Sequence, residues 1–254
     1  KWFIRMKIYL FVIKSFRLLF IVCFFILIHY DSIFADGNKG AVFISGIQNE
    51  QTHAVAKEVL WEAYRKIGYE ANFEFYPGYR SIDMANSGES DGDIARIDGT
   101  HKKFTNLVRV PTPIIHFKGV VFTKKITKKI TNWKDLKGLR IGIIRGIRYS
   151  KIGTNGLSPF FAENMTHLFK LLDQDMIQIA IAVLMAGKIE ISRNYKGSGI
   201  HSIGEALYTG RLYHYVNKKQ QHLVPDLFST LQNMEKQGEI QKIIDTTVND
   251  MTKN

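Results

Sequence analysis

The sequence predicts a mixed α/β chain folded as two lobes of similar build. Residues 41–97 alternate strand and helix patterns, and residues 133–192 repeat the alternation. Both series contain a helix–glycine–acid junction, at Gly88 and Gly187, 99 residues apart. Helices placed between successive strands make those strands parallel, which is the layering of an α/β lobe.

In the first series, residues 41–45 form a short run of strand formers that Gly46 ends. Val55, Val59, Leu60, Ala63, Tyr64 and Ile67 recur at helical spacing over 51–67, so one helical face is buried, and Gly68 stops the helix. Alternation in Ala71-Asn72-Phe73-Glu74-Phe75-Tyr76 predicts a strand closed by Pro77-Gly78. A short helix over 80–86 ends at Gly88, and 93–97 is the third strand.

The second series opens with a polar helical turn at 133–138, a strand over 139–144, and Arg145-Gly146 turning into a helix. An amphipathic helix over 176–186, ended by Gly187, and a strand over 189–192 complete it. Between the series, residues 110–122 carry Pro111 and Pro113. Proline cannot donate to a ladder, so this stretch is expected as a crossing between lobes rather than a central strand. A strand over 212–216 and helices over 223–248, broken at Gly238, have no sheet of their own and are expected to return to the first lobe.

Residues 1–35 stand apart. Lys1, Arg5, Lys7, Lys14 and Arg17 precede an apolar run over 18–28, and Ser32-Ile33-Phe34-Ala35 offers a small residue at a cut. This is the order of a secretory signal, with cleavage expected after Ala35 and export to a bacterial periplasm. The 11-residue run is short of the roughly 20 residues of a spanning helix, which makes a retained anchor the lesser reading. Val22 before Cys23 disfavours a lipidated cysteine, and Met6 is a plausible start.

The chain carries 35 Lys plus Arg against 23 Asp plus Glu, a net +12, with 45% hydrophobic residues and one cysteine. A disordered basic tail and a disulfide scaffold are thereby excluded. The signal takes +4 with it, leaving +8 on 219 residues without cysteine. Cores alone must hold that remainder together.

Several stretches resemble the periplasmic solute-binding proteins of type II fold, specifically the family 3 group that includes amino-acid receptors of ABC transporters. They are Ala85-Asn86-Ser87-Gly88-Glu89-Ser90-Asp91-Gly92, then Trp133-Lys134-Asp135-Leu136-Lys137-Gly138-Leu139-Arg140-Ile141-Gly142-Ile143, and the terminal helical region over 223–243. The resemblance spans 36–254. It implies two α/β lobes joined by two crossing hinge strands, with 36–115 and 212–254 in lobe 1 and 116–211 in lobe 2. A solute is then trapped by hinge closure.

The chain departs from the family's amino-acid clamp. Where the family carries Thr-x-x-Arg, this sequence has Thr100-His101-Lys102-Lys103, and Arg193-Asn194-Tyr195 stands where a ligand-binding Asp is expected. Strand ends and helix N-termini nominate Ser45, Tyr79, Arg80, Arg96, Asp98, Lys103, Arg145, Arg148 and Asn194 as ligand-binding, with Tyr149 beside them. Five are basic, so a small polar or anionic solute is expected, with Arg96 foremost. No catalytic residue, cofactor or metal site is expected, because the eight His show no paired spacing and no Gly-x-Ser-x-Gly or phosphate-loop ending occurs. The lysine-rich stretch 124–129 is expected as solvated loop, with no nucleic acid as partner. The expected partners are an inner-membrane ABC permease or a sensor, and the protein is expected as a monomer. Two alternatives remain: an exported enzyme of the cyclohexadienyl dehydratase kind, with Asp98 as its acid, and an orphan receptor for another protein.

Overall fold

The computed structural model describes residues 39–253, so the signal segment and the cut after Ala35 lie outside the described residues. The chain runs β1 (Ala41–Ile47), α1 (Gln51–Lys66), β2 (Glu70–Tyr76), α2 (Gly78–Ser87), β3 (Gly92–Ile97) and the long β4 (Leu107–Thr123). It continues through β5 (Ile141–Ile144), α3 (Arg148–Gly153), β6 (Phe160–Ala162), α4 (Met165–Asp173), β7 (Ile179–Val183) and α5 (Leu184–Asn194). The second long strand, β8 (His201–Asn217), leads to α6 (Val224–Lys236) and α7 (Glu239–Lys253).

The eight strands of the described residues share one sheet, ordered β2-β1-β3-β8-β4-β7-β5-β6. Parallel sets occupy its two ends, β2-β1-β3 and β7-β5-β6, and the antiparallel pair β4 and β8 runs through the middle. The C-terminal end of β3 lies against Leu212 of β8, while the C-terminal end of β7 lies against Gly119 of β4. The parallel strands of both ends therefore aim their C-terminal edges at one midsection, near Phe117 to Gly119 of β4 and Tyr208 to Leu212 of β8. This is the two-lobe type II arrangement, with two long strands as the crossings.

The first end folds around α1, whose Val55, Val59, Leu60, Ala63 and Tyr64 are fully buried against β1 and β3. Leu227, Leu231 and Met234 of α6 and Ile240 of α7 close the same core. At the other end, Leu168, Phe169 and Leu172 of α4 pack with Phe122 of β4 and Ala180 and Ala182 of β7. Among the described residues no helix is long and apolar enough to cross a membrane.

Two expectations fail here. Residues 176–186 are not a helix and 189–192 are not a strand; β7 occupies 179–183, and the following residues form α5. Asp175 adopts φ 57, which ends the preceding chain direction, and Ile179 through Ala182 are all at most 2% exposed. Burial on both faces suits a strand inside a sheet and not a one-sided helix. The glycine junctions consequently differ in kind. Gly88, at φ 84, is a left-handed cap whose following N–H groups donate to Met84 C=O, whereas Gly187 lies inside α5. Its role is close approach: a Cβ there would overlap the Phe122 ring.

The Pro-bearing stretch is the expected crossing: around Pro111 and Pro113 β4 pairs with β8 alone, and only its far end, Gly119 to Thr123, also pairs with β7. The β4–β8 register shifts between Arg109 and Pro113 and again before Ile115, so the prolines sit where the ladder is interrupted. Replacement of Gly187 by Ala should lower stability by about 1–3 kcal/mol through overpacking against Phe122. The urea midpoint measures it, and an unchanged midpoint contradicts the α5–β4 contact.

Candidate functional site

The midsection draws its side chains from β3, β4 and β8 and from the helices that follow the parallel strands of both sets. Glu50 follows β1 and caps α1, its carboxylate accepting the His53 N–H at 2.9 Å. His53 is buried, and its Nδ1 accepts the Ile47 N–H at 3.1 Å. That bond requires the neutral ring, with its proton on Nε2. Burial pushes the His53 pKa down to about 4, and the neighbouring Arg96 charge adds to this while Asp93 opposes it.

Asp93 of β3 is fully buried and is gripped by Arg96 at both oxygens, Nε to Oδ1 at 2.8 Å and Nη2 to Oδ2 at 2.7 Å. Ser81 donates its hydroxyl to the same carboxylate, and Arg96 also donates to Gly78 C=O. Burial works to raise the Asp93 pKa, but the charge and hydrogen bonds of Arg96 outweigh it and the net shift is downward. The guanidinium fork that sequence reasoning offered to a ligand thus already holds a carboxylate of its own strand.

From the other side comes Tyr149 of α3, which stacks on Tyr208 of β8 with ring centres 5.0 Å apart and 12° between planes. Phe117 of β4 tilts against both rings. Gly119 makes room for this wall, because a Cβ there would overlap Tyr149, and Gly210 does the same for Phe117. Burial raises the Tyr149 pKa, and the charge of Glu50 adds to the shift. Glu190 of α5, 2% exposed, closes the set by accepting from Gln51 Nε2 at 3.4 Å and Asn194 Nδ2 at 3.0 Å.

The nominated residues have separate surroundings. Ser45 is fully buried, its hydroxyl bonded to Ser81 C=O, Gly92 C=O and the Ser90 hydroxyl inside the lobe. Lys103 lies over Tyr79 and Phe104, with Tyr79 68% exposed. Arg80 is an exposed ion pair with Glu89, Asp98 pairs with Arg109, and Arg145 lies over Phe161. Arg148 is exposed at the start of α3. Asn194 ends α5 and is not at a strand end, because 189–192 is helical. Sequence reasoning passed over Glu50, Gln51, Asp93, Phe117, Glu190 and Tyr208. Only Glu50 carried a local signal, the residue before an amphipathic helix; the others meet through tertiary contact.

No family model matches the chain. An uncharacterized protein of Shewanella oneidensis is 27% identical over 216 residues, covering 77% of this chain and 81% of that one. An amino-acid ABC transporter substrate-binding protein of Streptococcus pneumoniae, bound to L-arginine, superposes with a TM-score of 0.65 at 14% identity, covering 86% of this chain and 98% of its own. A histidine kinase sensor domain similar to periplasmic binding proteins superposes with a TM-score of 0.67 at 15% identity, covering 81% and 95%. The chain thus has the fold of the solute-binding proteins of the family 3 type, a fold found in both receptors and a sensor domain among these neighbours.

Two outcomes test this electrostatic arrangement. Arg96→Ala strands the buried Asp93 and should cost about 3–5 kcal/mol in urea unfolding, most of it recovered in an Arg96→Met, Asp93→Leu pair. His53 and His214 are both buried with pKa values lowered to about 4, in each case first by burial. The unfolded state then binds more protons between about pH 6.5 and 4, so stability falls as the pH drops through that window. The loss is about 3 kcal/mol per ring at most, from the shift of each. A urea midpoint that stays flat over the window contradicts the buried neutral rings.

Proposed function

We propose that this protein is an exported solute-binding protein that captures a small polar solute at the β4–β8 midsection by closure of its two lobes, 36–115 with 212–254 against 116–211. The observation that carries the reading is the convergence of C-terminal strand edges from both ends of the sheet on one midsection lined by Glu50, Tyr149, Tyr208 and Phe117. Loops at such edges are where α/β sheets bind ligands. The basic-then-apolar order of residues 1–35 supports export to the periplasm, and the likeness to an ABC transporter receptor supports delivery to an inner-membrane permease.

A sensory role is the second reading, favoured by the likeness to a kinase sensor domain. An elimination enzyme fits less well. Its expected acid, Asp98, is ion-paired with Arg109. Burial tends to raise the Asp98 pKa, but the Gly99 N–H and Arg109 lower it overall, the opposite of what a proton donor needs.

Thermal shift of the exported protein against a metabolite panel tests capture. A specific solute at a hundred times its Kd should add about 2.7 kcal/mol of stability, and small-angle scattering should show a smaller radius of gyration in its presence. A chain that answers no small molecule, yet binds a protein of the same compartment, would overturn solute capture.

A further inference from the structure

The N-terminus of α1 gathers more acceptors than cations: the one guanidinium whose charge reaches Glu50, that of Arg96, is bonded to Asp93. Glu190 is a buried carboxylate whose partners are two neutral amides, from Gln51 and Asn194. Gln51 Oε1 is buried and accepts no hydrogen bond; exchanging the amide atoms would set that oxygen against Glu190 instead. Thr52, 2% exposed, brings its hydroxyl beside the Glu50 carboxyl without reaching hydrogen-bond geometry. Burial pushes the Glu50 pKa up, against the lowering effect of the His53 N–H. The linked charged groups are thus three carboxylates, Glu50, Asp93 and Glu190, and one guanidinium, Arg96, already held by Asp93, while His53 is neutral at pH 7. Glu190 is buried and Glu50 half-buried, and a carboxylate taken out of water is costly until a cation meets it.

The aromatic wall adds to the same preference. Tyr149 and Tyr208 stack face to face within the field of Glu50, and ring faces attract organic cations. Among the described residues no group of three His, Cys, Asp or Glu is arranged to hold a metal ion, and soft organic cations suit carboxylates flanked by rings.

We propose that the captured solute is an organic amine, its ammonium or guanidinium group held by Glu50 and the Gln51–Glu190 pair against the Tyr149–Tyr208 wall, and that it needs no carboxylate. This inference rests on the solute-capture reading and reverses the anionic preference expected from the count of basic residues. Arg96 explains the reversal: its fork is spent on Asp93, so a ligand carboxylate gains little from it.

Calorimetry of the exported protein with agmatine, L-arginine, putrescine, choline and glutarate decides the matter. Agmatine is L-arginine without its carboxylate. The expected result is binding of agmatine or another carboxylate-free amine at least as tight as that of L-arginine, with no binding of glutarate. Glu50→Gln, which retains an oxygen to cap α1, should weaken the amine about ten- to a hundredfold, and Glu190→Gln should weaken it in the same direction. Unliganded melting temperatures report that both variants fold. Binding of L-arginine or glutarate alone overturns the amine assignment and leaves solute capture standing. Absence of binding by all the amines, or amine binding indifferent to Glu50→Gln, also overturns it. Capture itself fails only if the wider metabolite panel is silent too.

Discussion

The antiparallel ladder between β4 and β8 is the constraint on which the rest depends. Each strand is 17 residues long, and their pairing runs from Leu107 opposite Asn217 to Thr123 opposite His201. One end of the pair accepts β3 and through it β1 and β2; the other accepts β7 and through it β5 and β6. Because the two parallel sets attach at opposite ends and run toward the centre, their loops meet over the same stretch of ladder. Interruptions of register flank that stretch, around Pro113 on one side and just after Gly119 on the other. Such breaks are natural places for two lobes to move against each other.

Electrostatics then decide what the midsection presents. Strand β3 supplies both halves of the Asp93–Arg96 pair, three residues apart, and a register shift between those positions allows the guanidinium to turn back onto the carboxylate. That pair satisfies itself and anchors Ser81 and Gly78 of α2. The carboxylates of Glu50 and Glu190 have no equivalent, and they come from elements 140 residues apart in sequence. Chain folding, and not local spacing, brings these acceptors together, with the one nearby guanidinium, Arg96, bonded to Asp93.

Much of the first lobe was legible in the sequence because its signals are local. The 3.6-residue recurrence from Val55 to Tyr64 is a helix face, the alternation before Tyr76 is a half-buried strand, and Gly88 is a left-handed cap, all as expected. The second lobe misled at β7, since a strand buried on both faces has no alternation and looks like a buried helix. Gly187 misled for a related reason: a glycine that permits contact with Phe122 and a glycine that stops a helix are the same letter.

The site shows the division most clearly. Composition and the ends of strands nominated Arg96 and Tyr149 for a ligand edge, and strand–helix alternation determined the class of fold. Those are properties of neighbouring residues. Whether Arg96 faces a ligand or Asp93, and whether Tyr149 finds Tyr208, Phe117 and the field of Glu50, was decided only by the tertiary structure. Charge and ring partners are chosen by distance in space, and the long β4–β8 ladder sets those distances between residues that the sequence holds far apart.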